Sequence, residues 1–257
     1  MKFNLNADMA EGYGPWKMGD DDGLLGIIKS ANIACGFHAG DHNIMADVMQ
    51  KAAAQGVGIG THPGFLDLHG FGRRQMSLSL AEIERLMAYQ IGASLGMADL
   101  VGVKVTHFKA HGALSNMACA DGDMAAAICR AVVAVDKDLI MLAPSLSQFS
   151  IKGREAGLLV ADEVFADRAY MPDGQLAPRS RPDAMIEDSR ESLAQCLSIF
   201  VDGKVRTLDG SWLELPAQSI CVHGDGPSAL ALARDVKSGM EEAGFENVTL
   251  PEMMGQK

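Results

Sequence analysis

The sequence predicts an α/β fold, a seven-stranded β/α barrel of the TIM type. Short apolar runs alternate with helical patterns along the whole chain, and no linker, repeat or low-complexity tract interrupts them. This order implies parallel strands joined by helical crossovers. The length of 257 residues suits one closed barrel. We therefore expect residues 1–257 to form a single domain.

Seven short apolar runs are predicted as strands because they have strand length and end at polar residues or glycine. They are Phe3–Ala7, Ala31–Cys35, Val57–Thr61, Val103–Phe108, Leu139–Leu142, Gly157–Asp162 and Ser219–Val222. The segments between them repeat apolar residues at helical spacing, and several end at glycine. Ser79 and Glu82 have the spacing of a capping box at one helix start. A small β-hairpin insertion is predicted near 201–215, turning at Asp209 and Gly210.

The composition excludes several classes of function. A formal net charge of −11 argues against nucleic-acid or anionic-membrane binding, which needs a basic surface. No apolar stretch approaches the roughly 18 residues that indicate a membrane span. The first residues lack the features of a signal peptide. The five cysteines show no CxxC spacing. We expect a cytoplasmic protein.

Polar residues collect where the predicted strands end. Active sites of β/α barrels lie at the C-terminal ends of the strands. Five of the seven histidines lie at or shortly after the ends of predicted strands, namely His38, His62, His107, His111 and His223. The charged residues that do so are Asp8, Glu11, Asp41, Lys109, Glu163, Asp167, Arg168 and Asp225. A single histidine there is more typical of a structural role, but this set together indicates a site.

The fourth strand carries the densest group. His107, Lys109 and His111 occupy every second position, so they point to one side if the strand extends that far. Like charges at such spacing repel, which suggests that they surround an anionic ligand. Arg73 and Arg74 follow the third strand and could hold a carboxylate, although surface solvation explains them equally well.

Two kinds of chemistry fit these residue types. One is a divalent metal that activates water, with Asp8, His38 and His62 as candidate ligands. The other is metal-free acid–base catalysis in which Lys109 polarises a carbonyl. The residues alone leave both open, since no HExxH motif is present. The sequence also lacks a phosphate-binding P-loop and a GxGxxG motif after a strand, so no self-contained nucleotide fold is indicated.

Six sequence blocks in order resemble the family of the 5-oxoprolinase A subunit, also named LamB/YcsF. The blocks are NLNADMAEGYG, ANIACGFHAGDH, GIGTHPGFLDLHGFGRR, HFKAHGALSNMA, EVFADRAYMPDGQLAPR and ICVHGDGPSAL. The resemblance extends from about residue 3 to about residue 245. The chain departs from the usual family pattern at Ala7, Ala10, His42, Ala110 and Ser115. Ser115 stands where a tyrosine is common, so we expect different substrate contacts there.

The resemblance implies a barrel of the glycoside hydrolase and deacetylase type. It also implies ATP-dependent opening of 5-oxo-L-proline to L-glutamate, with ATP and Mg²⁺ used in a complex with subunits B and C. The family positions carried onto this chain are Asp8, Glu11, His38, Asp41, His62, Arg73, Lys109, His111, Asp167, Arg168, His223 and Asp225.

Roles for these residues are hypotheses at this stage. Lys109 and His111 would stabilise charge on the lactam oxygen, Asp8 or His38 would act as base, and Arg168 or Arg73 would hold the carboxylate. The catalytic set is Asp8, His38, His62, Lys109, His111 and Asp225. The substrate-binding set is Glu11, Arg73, Asp167, Arg168 and His223. A stand-alone metal-dependent deacetylase or amidohydrolase, a subunit that only binds, and a homo-oligomeric state all stay open.

Overall fold

A computed structural model describes residues 1–222 and 229–256, so His223 and Asp225 lie outside the described residues. Seven parallel strands form a closed barrel because the first strand pairs with both the second and the last. They are β1 (Lys2–Met9), β2 (Ser30–Ala34), β3 (Gly58–His62), β4 (Val105–Lys109), β5 (Ile140–Pro144), β6 (Val160–Phe165) and β9 (Ser219–Val222). The predicted seven-stranded barrel is confirmed.

Helices surround the barrel and connect its strands. They are α1 (Asp21–Leu25), α2 (His42–Ala54), α3 (Leu80–Val101), α4 (Gly112–Ala120), α5 (Gly122–Asp136), α6 (Gln148–Glu155), α7 (Ser189–Asp202), α8 (Ala229–Glu242) and α9 (Leu250–Met253). The predicted capping box of Ser79 and Glu82 begins α3. Leu250 of α9 packs against Ile140, Leu142 and Ala161. No helix among the described residues combines the length and apolarity that a membrane crossing requires.

Three short strands complete the described structure. β7 (Lys204–Arg206) and β8 (Trp212–Glu214) pair antiparallel in the region of the predicted hairpin. β10 (Glu246–Asn247) pairs with the first residues of β1. That residues 1–257 form one domain stays a prediction.

Two strands begin two or three residues later than predicted. β4 begins at Val105 rather than Val103 because α3 continues to Val101 and ends at Gly102, whose φ is 74°. β6 begins at Val160 rather than Gly157 because α6 continues to Glu155 and the chain must first turn back. The shift of β6 places Glu163 inside the strand rather than in the loop after it.

A column of polar side chains extends along the barrel interior from β1. Asn4, Asn6 and Asp8 alternate with apolar residues, so all three point inward. Asn6 Oδ1 accepts from Asn32 Nδ2 at 2.8 Å, and Asp8 Oδ1 accepts from the same amide at 3.0 Å. His107 Nε2 lies 3.1 Å from Asn32 Oδ1. These hydrogen bonds in the barrel interior help to fix the position of the Asp8 side chain.

Substitution of Gly60 by alanine is expected to destabilise the chain by about 1–3 kcal/mol, the usual cost of overpacking. A Cβ at position 60 would overlap the imidazole of His107 inside the barrel. Gly92→Ala in α3 is the matched control, because a Cβ there meets open space. It should stabilise by about 0.5–1 kcal/mol through helix propensity. Urea unfolding of both variants checks this, and equal effects would contradict it.

Candidate active site

Three histidines and one glutamate converge at the C-terminal end of the barrel. Glu11, His38, His62 and His111 each offer one ligand atom, and these atoms lie within 4.8 Å of one another. His62 ends β3, and the other three lie on the loops after β1, β2 and β4. The imidazoles of His38 and His111 stack with centroids 3.7 Å apart. We call these four residues the histidine cluster.

Backbone carbonyls fix the tautomers of two cluster histidines. His62 Nδ1 lies 2.8 Å from the carbonyl of Lys109, and His111 Nε2 lies 2.8 Å from the carbonyl of Phe71. A carbonyl only accepts, so these nitrogens carry the hydrogens. In the neutral rings the lone pairs of His62 Nε2 and His111 Nδ1 then face each other at 3.1 Å. They repel unless a proton or a cation lies between them.

Two residues with a left-handed backbone conformation help to position Glu11 and His111 of the histidine cluster. Ala10 has a φ of 60° just before Glu11, and its N–H donates to Asp21 Oδ2 at 3.2 Å. Phe71 has a φ of 54°, and its carbonyl is the acceptor for His111. A left-handed backbone conformation at a residue other than glycine costs of the order of 1–3 kcal/mol of folding free energy. Such conformations are concentrated at functional sites.

Burial keeps several of these histidines neutral. Burial is the main cause that lowers the pKa of His38 and His111 well below the ordinary value, with neighbouring imidazoles adding to it. The pKa of His107 falls to about 3, first through burial and then through the charge of Lys109. A neutral imidazole can offer a lone pair to a metal at neutral pH.

Lys109 is the cation at the centre of the site. Its Nζ lies 2.9 Å from Asp8 Oδ1 and 2.8 Å from Glu163 Oε1, and it donates to Cys221 Sγ at 3.1 Å. Burial alone would lower the pKa of Lys109, but these acidic neighbours outweigh it and raise the pKa well above its ordinary value. Asp8 links Lys109 to the histidine cluster, since Asp8 Oδ2 lies 3.2 Å from His62 Nε2.

The interpretation of the fourth strand as a wall of basic groups needs correction. His107 and His111 have lowered pKa values, and His107 points into the barrel toward Asn32. Lys109 contacts two carboxylates. The sequence pattern does not show how strongly the barrel interior is desolvated. Because of this desolvation, the two histidines are neutral and Lys109 is the one charged group of the three, with its charge balanced by carboxylates.

A cavity of about 550 Å³ opens above these groups. This volume is within the usual range for small-molecule sites. Asp8, Lys109, His111 and Glu163 line its inner end. The remaining wall is lined by residues of α4, including Ser115, and by residues from the loops after β3, β5 and β6, including Arg73, Ser145, Arg168 and Arg179.

Comparison with known proteins identifies the chain's relatives. Residues 3–255 match the LamB/YcsF family. The chain belongs to the LamB/YcsF family. It is 48% identical over 253 residues to the 5-oxoprolinase A subunit of Azoarcus sp. (strain BH72), covering 98% of this chain and 99% of that protein.

Solved structures agree with this membership. The lactam utilization protein of Thermus thermophilus superposes with a TM-score of 0.91 at 42% identity, covering 96% of this chain and 99% of that one. A T48 deacetylase with substrate has a TM-score of 0.51 at 14% identity, covering 100% of this chain and 92% of that one. The second likeness shows the fold alone, and it confirms the deacetylase-type barrel.

Other residues carried over from the LamB/YcsF pattern lie around this centre. Arg73 lines the cavity, and its guanidinium lies over the Phe71 ring at 5.0 Å from the centroid. Arg168 is buried, lines the cavity and donates from Nη2 to the carbonyl of Ala177 at 2.6 Å. Asp167 is buried beside it but is not among the described residues that line the cavity.

Asp41 has a clear structural role instead. Its side chain caps α2 by accepting from the N–H groups of Asn43 and Ile44, and it also accepts from Gly14 N at 2.7 Å. It therefore holds the loop after β1 against the start of α2. This hydrogen bonding gives Asp41 an indirect part in positioning Glu11.

The sequence-derived set for this LamB/YcsF site omits Glu163, Cys221, Asn6 and Ser145. Glu163 follows the predicted sixth strand and is one of the polar residues at strand ends, but the catalytic and substrate-binding sets contain only residues carried over from the family pattern. The alternation of Asn4, Asn6 and Asp8 in the first strand is a signal that could have identified Asn6. Cys221 lies inside β9 beside Lys109, a contact that only the closed barrel creates.

Proposed function

We propose that this chain opens the ring of 5-oxo-L-proline to give L-glutamate, acting as the A subunit of a multi-subunit 5-oxoprolinase. The proposal is supported by relatives that carry this subunit name and match almost the whole chain. The observation that carries it is the buried Lys109 between Asp8 and Glu163 at the base of the cavity. A buried cation beside carboxylates is suited to hydrolysis of an amide.

Lys109 is assigned the role of stabilising negative charge on the lactam oxygen. During attack of water, negative charge develops on that oxygen, and a positioned ammonium in a dry site stabilises it. The raised pKa of Lys109 makes it a poor proton donor, so electrostatic stabilisation fits better than acid catalysis. His111 loses the oxyanion role hypothesised from the sequence, because its Nε2 hydrogen is already donated to Phe71.

Asp8 is assigned the role of base. Its carboxylate lies between Lys109 and His62, where it can accept a proton from the attacking water. The oxygen of water forms a bond to the carbonyl carbon, the C–N bond breaks, and the ring nitrogen gains the proton that Asp8 accepted from the water.

The histidine cluster is proposed to hold a divalent cation. Imidazole and carboxylate are the ligand types that zinc and manganese accept, and the carbonyl contacts of His62 and His111 are typical of metal ligands. The facing lone pairs of these two rings fit the same interpretation. When bound, the ion would supply Lewis-acid chemistry that polarises a carbonyl or activates water.

ATP, with Mg²⁺, is proposed to act in the assembled complex with subunits B and C. A five-membered lactam is stable to water, and its unfavourable opening explains coupling to nucleotide hydrolysis. A cytoplasmic location belongs to the same proposal because ATP is supplied there. A stand-alone metal-dependent deacetylase remains the second candidate, favoured only by the histidine cluster.

The test is glutamate release from 5-oxoproline by the three-subunit complex, with and without ATP and with this chain omitted. The proposal predicts glutamate only when all three subunits and ATP are present. Glutamate formation without this chain would contradict it. Deacetylation of an N-acetylated sugar by the chain alone would favour the second candidate.

A further inference from the structure

Three polar side chains that line the cavity carry atoms without a hydrogen-bond partner among the described residues. Ser145 Oγ, Arg168 Nε and Glu163 Oε2 are buried, and among the described residues none of these atoms has one. The three residues are 4%, 7% and 1% exposed, respectively, and all line the cavity. Buried polar atoms left unpaired are destabilising, so a group of them around one cavity points to a ligand.

The three side chains come from adjacent parts of the barrel. Ser145 follows β5, Glu163 lies in the neighbouring strand β6, and Arg168 lies just beyond the end of β6. The N–H of Ser145 donates to the carbonyl of Glu163 at 3.0 Å. This hydrogen bond holds the serine hydroxyl next to the glutamate.

The hydrogen-bonding groups that these three atoms require are found together in a cyclic amino acid. Ser145 and Arg168 supply donors, and Glu163 supplies an acceptor. At neutral pH, 5-oxoproline has one donor, its ring N–H, and a carboxylate on the adjacent carbon. The acceptor Glu163 therefore complements the ring N–H, and the donors Ser145 and Arg168 complement the carboxylate.

We propose that Ser145, Glu163 and Arg168 form the recognition subsite for the lactam, with Glu163 accepting the ring N–H and Ser145 and Arg168 binding the carboxylate. This rests on the function proposed above and deepens it. Glu163 Oε1 contacts Lys109, so a ring amide bound to Glu163 places its carbonyl on the Lys109 side. The subsite also assigns the carboxylate to Arg168 rather than to Arg73, which is exposed at the rim.

Ser145→Ala tests the subsite, and Ser192→Ala is its matched control. Ser192 Oγ is likewise buried without a hydrogen-bond partner among the described residues, but Ser192 lies on α7 away from the described cavity lining. Neither substitution removes a described hydrogen bond of the hydroxyl, so both variants should keep the wild-type melting temperature. In the assembled complex with ATP, Ser145→Ala should raise KM for 5-oxoproline about 10- to 100-fold with little change in kcat. Ser192→Ala should leave KM unchanged.

A second measurement separates the carboxylate from the ring amide. Competition by 2-pyrrolidinone, which keeps the amide and lacks the carboxylate, should be equally strong against wild type and Ser145→Ala. Competition by N-methyl-5-oxoproline should be weak against both. An unchanged KM in Ser145→Ala, or strong inhibition by the N-methyl compound, would overturn the subsite. A wild-type complex that releases no glutamate would instead refute the proposed function.

Discussion

Replacement of Lys109 by methionine is expected to lower ring opening by about 10²- to 10³-fold, the usual cost of losing a charge-stabilising donor. It is also expected to destabilise the chain by about 3–5 kcal/mol, because Asp8 and Glu163 would lose their buried partner. If Lys109 only contacted the substrate, its replacement would leave the free energy of unfolding of the chain unchanged. Kinetics of the complex and urea unfolding of the chain measure the two effects separately.

The pH of the stability measurement follows from the pKa of Lys109. Its folded value is raised above the ordinary 10.5, so its stabilisation is complete below pH 10.5 and is lost only as the pH rises through the folded value. Measurement at pH 7.5 therefore records the whole effect. Lys51→Met is the matched control, since Lys51 pairs with Asp22 on the surface and such pairs contribute about 0–1 kcal/mol. Equal destabilisation by both substitutions would contradict the assignment.

Replacement of His62 by alanine is expected to remove the bound divalent cation and to lower ring opening at least 100-fold. Loss of a residue that merely orients a metal ligand already costs about 10- to 100-fold, so loss of a ligand should cost more. The metal content of purified chain, after incubation with Zn²⁺ or Mn²⁺, should fall from one ion per chain to background. Elemental analysis of both chains measures this independently of activity.

His42→Ala provides the control for this substitution. His42 is exposed at the first turn of α2 and is not part of the histidine cluster. Its removal should change neither the metal content nor the rate. Wild-type chain that takes up no metal under any of these conditions would refute the metal proposal while leaving the role of Lys109 intact.

The barrel could be predicted from the sequence because its signals are local and repeated. All seven strands lie within a few residues of their predicted positions, since each is a short apolar run between helical segments. The predicted end of β6 is wrong because the sequence does not show how far α6 continues before the chain turns at Gly157. That error of three residues places Glu163 after the predicted strand rather than inside it.

The membership of the site could be predicted, but the charge of its members could not. Strand ends identify His38, His62, Lys109 and His111 because the fold brings those ends together. Their protonation depends on burial and on contacts across the barrel, and both arise only when the barrel closes. The tautomers of His62 and His111 depend on carbonyls 47 and 40 residues away, respectively.

The most direct test is glutamate release by the complex assembled with the Lys109→Met chain, measured beside the complexes assembled with wild type and with Lys51→Met. Gel filtration first establishes that all three chains assemble equally with subunits B and C. If ring opening takes place in this cavity, glutamate release falls about 10²- to 10³-fold with Lys109→Met alone. An undiminished rate from an assembled Lys109→Met complex would place the chemistry in another subunit.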